Sequence, residues 1–131
     1  MRLHGRVTQP LEEPAEVAAD GTGLEGTGWG RYVAAVAVEL ALLGRPPVGL
    51  EGRLRSTLPV GAGLSSSAAL EVALSIALCA VADFSIEPMA LAQAAQRSEL
   101  RAVGVPSGIM DQAASLLGRA GHAILLDTGS L

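Results

Sequence analysis

Pro59-Val60-Gly61-Ala62-Gly63-Leu64-Ser65-Ser66-Ser67-Ala68-Ala69 is the stretch on which the fold turns. Upstream, Val48–Thr57 alternates, with Val48, Leu50 and Leu54 on one face and Glu51, Arg53 and Arg55 on the other. That is the period-two pattern of a half-buried strand. Gly52 falls on its apolar face, where another group can approach closely. Downstream, Leu70, Ala73, Leu74, Ala77, Leu78 and Val81 recur at helical spacing and predict a helix over Ser65–Ala82. Between the two, Gly61 and Gly63 permit a sharp turn and a close approach to a ligand. The first turn of the helix leaves amides without partners. Together with the positive end of the helix dipole they attract an anion. Ser65, Ser66 and Ser67 add hydroxyls that can donate to phosphate oxygens or reach a magnesium ion, and Ala68 and Ala69 keep the next turn small. On these residues alone, a serine-capped helix after a glycine loop remains an open alternative.

Working outward, Val33, Val36, Ala37, Leu40 and Leu43 give Trp29–Leu43 a helical period, which Gly44 and Pro46-Pro47 stop. Arg2–Val7 alternates weakly and is expected as a short strand; Thr8–Gly28, acidic and then Gly/Thr-rich, is expected as a surface connection. Ser85 as a cap and Pro88 mark a helix start, with the helix running from about Glu87 to Arg101. Ala102–Gly108 then forms a loop, Ile109–Leu117 a short helix ended by Gly118, and His122–Asp127 an apolar strand. Strands beside helices in this order predict an α+β sandwich with one sheet face covered.

The chain has 131 residues, one domain's worth, and half of them are hydrophobic but only 2% aromatic. The core must therefore come from Ala, Val, Leu and Ile. Net charge is −4, and every one of the nine basic side chains is an arginine. With no basic cluster, nucleic acid is not expected as a partner, because neutralising phosphates takes clustered positive charge. Without lysine, neither a Walker loop nor a protein-kinase site can be built. Any nucleotide must be held by backbone amides and helix ends. Cys79 is alone, which fits a small buried hydrophobe better than a reactive thiol and suits a reducing cytoplasm. Val33–Leu43 and Val72–Ala82 are too short to span a bilayer, so no membrane association is expected.

Glu99 and Asp111 stand twelve positions apart, one near a helix end and one on the short helix after a tight loop. Two carboxylates beside an anion loop suit metal-dependent phosphoryl transfer. One can hold magnesium, which prefers oxygen ligands. The other can orient an attacking hydroxyl and accept its proton. Spacing alone favours two ordinary surface acids, since helix-borne acids usually face solvent.

The motifs resemble a known family. Pro59–Ala69 looks like the second conserved motif of the galactokinase, homoserine kinase, mevalonate kinase and phosphomevalonate kinase (GHMP) superfamily, and its triple serine resembles the galactokinase branch. Gly104-Val105-Pro106-Ser107-Gly108-Ile109-Met110-Asp111-Gln112 is similar to the galactokinase segment that ends in the catalytic aspartate, and Glu99 stands at the family's spacing from it. Trp29-Gly30-Arg31-Tyr32-Val33 and Gly121–Asp127 are similar to its early helix and following strand. The likeness runs from about residue 29 to 131.

The resemblance implies a GHMP kinase N-terminal domain of the ribosomal protein S5 domain 2-like fold. It implies ATP-dependent phosphorylation of a hexose, galactose at C1, with ATP, Mg2+ and a small sugar as ligands. Gly61, Ala62, Gly63, Leu64, Ser65, Ser66 and Ser67 would wrap the ATP phosphates, and Ser67 and Glu99 would hold magnesium. Asp111 would contact the C1 hydroxyl as base or electrostatic guide, and Gly108 would bring backbone near the sugar. Ser107 stands where relatives often carry cysteine, and Leu100 where they often carry asparagine.

Galactokinases also begin with a Gly-Arg-Val-Asn strand followed by Gly-Glu-His-Thr-Asp. His4-Gly5-Arg6-Val7 is only an echo of that, and no third glycine-rich motif is present. The chain is therefore expected to be an incomplete N-terminal domain, inactive or nearly so by itself. The alternatives are another kinase of the superfamily acting on a different sugar or small alcohol, or a non-catalytic nucleotide-binding remnant.

Overall fold

Alanines and branched aliphatics at helical spacing fold into four α-helices among the described residues, set beside a small sheet. The structure, a computed structural model, describes residues 15–22, 28–59 and 62–130, together with the backbone of residues 2–7. In chain order the elements are β1 (Arg2–Val7), β2 (Ala15–Glu16), α1 (Gly30–Leu42), β3 (Glu51–Ser56), α2 (Ser66–Val81), α3 (Pro88–Val103) and α4 (Met110–Leu117), with a 3-10 turn at Thr128–Ser130. The sheet order is β2-β1-β3. β1 runs antiparallel to β2, pairing Leu3 with Ala15, and parallel to β3, pairing Gly5 with Leu54.

The core is built from small aliphatic side chains. Val33, Val36, Ala37 and Leu40 of α1 pack with Leu74 and Leu78 of α2 and Leu91 of α3. A second cluster joins Ala92 of α3 to Ile109 and to Ala113 of α4. α1 packs on α2 and α3, and α4 covers the other side of that pair. Gly21 passes directly over α1 with φ of +77°. A Cβ there would sit 2.5 Å from the Val38 side chain and 2.6 Å from the Ala34 carbonyl, so only glycine fits.

Two buried charged residues stitch these layers together. Glu39, on the inner side of α1, is 4% exposed and accepts from Arg97 Nε at 2.8 Å and Arg101 Nη2 at 2.7 Å, both on α3. Arg45, 3% exposed, donates Nε to the Leu78 carbonyl at 2.8 Å and Nη1 to the Ala19 carbonyl at 3.3 Å. A buried guanidinium is tolerated because carbonyl oxygens replace its water. Cys79 is buried and unbridged, and burial pushes its thiol up. None of the described helices is long and apolar enough to cross a membrane.

Several local expectations are corrected. His122–Asp127 forms no ladder: Leu126 packs on the Ile109–Ala113 cluster while Leu125 is 99% exposed, so this apolar run docks by one side chain. The Thr8–Gly28 connection contains β2, and Ala15, Val17 and Gly21 are buried in it; residues 8–14 and 23–27 lie outside the described residues. Ser85 caps nothing. The N-cap of α3 is Glu87, in the extended conformation that a following proline imposes, with Pro88 in the first turn and no side-chain cap bond. Leu43, at the end of α1, is 39% exposed. The inner face of α2 is also rotated from the expected stripe. Glu71, Val72 and Ser75 are buried, whereas Ala73 and Val81 are exposed.

Candidate functional site

Ser65 stands at the N-cap of α2 in the left-handed backbone region, with φ of 53° and ψ of 40°. A residue other than glycine there is strained by about 1–3 kcal/mol, and such strain gathers at ligand-binding positions. Its hydroxyl does not cap the helix. It donates instead to Asp111 Oδ2 on α4, at 2.6 Å. The first-turn amides of α2 therefore gain no partner from the serine that would ordinarily supply one. The helix mouth keeps its positive character.

Within the first turn, Ser67 Oγ donates to Glu99 Oε1 on α3 at 2.7 Å. The other oxygen of Glu99 accepts from Ser107 Oγ at 2.9 Å and from Gln112 Nε2 at 3.1 Å. Gln96 Nε2 holds the Ser107 carbonyl at 2.7 Å, which ties the loop between α3 and α4 back onto α3. Two hydroxyl–carboxylate pairs thus converge on one helix start from two other helices. All four groups are half-buried, open enough for ligands yet fixed by their partners.

The residues singled out in the sequence fall as follows. Ser65, Ser67, Glu99 and Asp111 come together. Ser66 lines the adjoining cavity described below. Ala62, Gly63 and Leu64 form an exposed bend leading into α2, with Gly63 at φ of +70°. Gly61 lies outside the described residues. Gly108 is exposed in the loop just before α4, three residues from Asp111.

Some residues of the site were not read from the sequence. Between β3 and α2 lies a cavity of about 280 Å³, lined among others by Trp29, Tyr32, Leu54, Ser66, Ser67 and Leu70. It holds the chain's only tryptophan and only tyrosine, and it is continuous with the serine mouth. Its lining is mostly apolar, which suits a flat ring system attached to a phosphate chain. The Ser107 hydroxyl steadies Glu99, a role its sequence position does not signal. Glu71 and Gln112 also belong to the site's surroundings, both 0% exposed directly beneath the mouth. Burial, with the nearby Glu99 charge second, pushes the Glu71 carboxyl up to about 8, against the opposing hydrogen bond from Gln112. A signal for it was available: a lone carboxylate inside the apolar run Ala69-Leu70-Glu71-Val72-Ala73-Leu74.

The family pattern described as the GHMP kinases N terminal domain matches residues 31–119. A galactokinase from Streptomyces coelicolor is 46% identical over 103 residues, covering 79% of this chain and 27% of that protein. A galactokinase from Streptomyces lividans is 40% identical across 100% of this chain and 32% of its own length. Among solved structures, Lactococcus lactis galactokinase complexed with galactose superposes with a TM-score of 0.65 at 25% identity, covering 86% of this chain and 30% of that one. The chain spans about a third of the length of the galactokinases it matches. With a family pattern that takes in the start of α2 and both carboxylates, Glu99 and Asp111, the chain belongs to the GHMP kinase family through that family's N-terminal domain.

Proposed function

We propose that this site is the phosphoryl-transfer centre of a galactokinase-type enzyme, which moves the γ-phosphoryl group of ATP to the C1 hydroxyl of galactose. The observation that carries the reading is the convergence of Ser65–Asp111 and Ser67–Glu99 on the open start of α2. The curated relatives named as galactokinases support the reaction class, and the galactose-bound relative supports the sugar.

The roles follow from position. The amides at the start of α2, with the bend through Ala62, Gly63 and Leu64 and the hydroxyls of Ser65 and Ser66, grip the phosphates. Gly61 belongs to the same loop. The Trp29–Tyr32 cavity receives the base. Asp111 trades its bond to Ser65 for one to the acceptor hydroxyl, orients it and draws off its proton, while Gly108 brings backbone to the sugar's edge.

Ser67 and Glu99 supply an all-oxygen pair, which suits magnesium. Among the described residues there is no cluster of three or more His, Cys, Asp or Glu that could hold a metal. Magnesium held by one or two protein groups would take phosphates and water to complete its shell. When bound, magnesium neutralises charge on the β- and γ-phosphates.

The test is transfer from ATP to a panel of hexoses and small alcohols by the full gene product with magnesium. Formation of galactose 1-phosphate in preference to other products is expected. Preference for a different acceptor would move the reading to another kinase of the family, and failure to bind nucleotide at all would remove it. The 131 residues by themselves are expected to turn over little, because transfer depends on several positioned parts acting at once.

A further inference from the structure

Beneath the serine mouth lies a buried polar layer that phosphoryl transfer leaves unused. Glu71, one turn below Ser67 on α2, and Gln112, next to Asp111 on α4, are each 0% exposed. Gln112 Nε2 donates to Glu71 Oε2 at 3.3 Å and to Glu99 Oε2 at 3.1 Å, which uses both hydrogens of a primary amide. Among the described residues three buried atoms are left without partners: Glu71 Oε1, Gln112 Oε1 and Ser75 Oγ. Buried polar atoms are rarely left so in native proteins.

An ionised Glu71 can only accept, so it has nothing to offer the orphaned Gln112 oxygen. A neutral Glu71 has a hydroxyl. Donated to Gln112 Oε1, while Oε2 goes on accepting from Nε2, it closes a two-bond ring between acid and amide and removes two of the three orphans. The surroundings favour this form. α3 presents the Glu99 carboxylate and α4 the neutral Gln112 amide; among the described residues no cation acts on Glu71.

We propose that Glu71 is a positioning residue for Glu99: as a neutral acid it grips both edges of the Gln112 amide and so fixes that amide's second hydrogen on the Glu99 carboxylate. Glu99 is then held at one oxygen from below and beside, by Gln112 and Ser107, and its other oxygen is turned to Ser67. The consequence for metal binding rests on the phosphoryl-transfer reading; the acid–amide pairing does not.

NMR of the 131-residue chain, with glutamate carboxyl carbons and glutamine side-chain amides labelled, separates the two. The Glu71 carboxyl carbon is expected to titrate with a midpoint above pH 7. The Gln112 amide is expected to exchange slowly in the wild type and in Glu71→Gln, and fast in Glu71→Ala. With ADP present, a magnesium titration followed at the Glu99 carboxyl carbon is expected to weaken about tenfold in Glu71→Ala and to be rescued in Glu71→Gln. A Glu71 midpoint near the ordinary value of 4.5 overturns the pairing. A magnesium response equal in all three proteins overturns the positioning role. No magnesium response even in the wild type counts against the metal assignment of Ser67 and Glu99, and the Glu71 titration still decides the pairing without any variant.

Discussion

Ser65 Oγ donates to Asp111 Oδ2 at 2.6 Å across 46 positions of sequence, joining the start of α2 to the first turn of α4. This bond puts the carboxylate at the edge of the helix mouth, where the proposed transfer would bring an acceptor hydroxyl to a phosphate. Asp111→Asn in the full gene product is therefore expected to cut kcat by about 10²–10⁴-fold while nucleotide affinity stays near its original value. Steady-state kinetics beside a nucleotide-binding titration read both. Equal losses in the two would mean that Asp111 serves folding instead.

Glu99 is the second carboxylate at that mouth, and its partners are hydroxyls and an amide, with no cation among them. Glu99→Gln keeps the shape and removes the charge. The magnesium concentration for half-maximal rate is expected to rise about tenfold or more. An unchanged magnesium titration contradicts the assignment.

The clamp between α1 and α3 makes an asymmetric prediction for stability. The Glu39 side chain is 5% exposed, whereas Arg97 and Arg101 are 46% and 35% exposed. Removing both arginines strands a buried carboxylate, so Arg97→Ala with Arg101→Ala is expected to cost about 3–5 kcal/mol. Glu39→Ala leaves two cations that can turn to water and is expected to cost only about 1 kcal/mol. Urea denaturation of the three proteins orders them; equal costs would refute the asymmetry.

Glu71 gives stability a pH dependence. Its folded-state value of about 8 lies above the ordinary 4.5, so the folded form holds a proton that the unfolded chain releases. The contribution is full below pH 4.5 and is lost as pH rises to about 8. Its slope approaches about 1.4 kcal/mol per pH unit for one proton. Glu71→Gln is expected to flatten that part of the profile, as followed by denaturation midpoints between those limits. A parallel profile in the variant would exclude Glu71 as the source.

Much of this was legible in the sequence because helical spacing is a strong signal. Val33, Val36, Ala37 and Leu40 are all within 1% of complete burial, as their period requires. The serine triplet, Glu99 and Asp111 could be picked out, but their pairing could not, since contacts across 32 and 46 positions depend on how three helices pack. Ala15–Glu16 was missed because two residues carry no period. His122–Asp127 was misjudged because apolar content is not a ladder: a strand needs a neighbour's amides and carbonyls. The face of α2 was misjudged because hydrophobicity was taken to decide burial, whereas Glu71 and Ser75 are buried as part of the polar layer under the site.

The most direct measurement is a crystal structure of the full gene product with magnesium, a non-hydrolysable ATP analogue and galactose. The account predicts phosphate oxygens within hydrogen-bonding distance of the Ser66, Ser67 and Ala68 amides, with the sugar's C1 hydroxyl against Asp111. Phosphates bound away from the start of α2, or a sugar out of reach of Asp111, would contradict it.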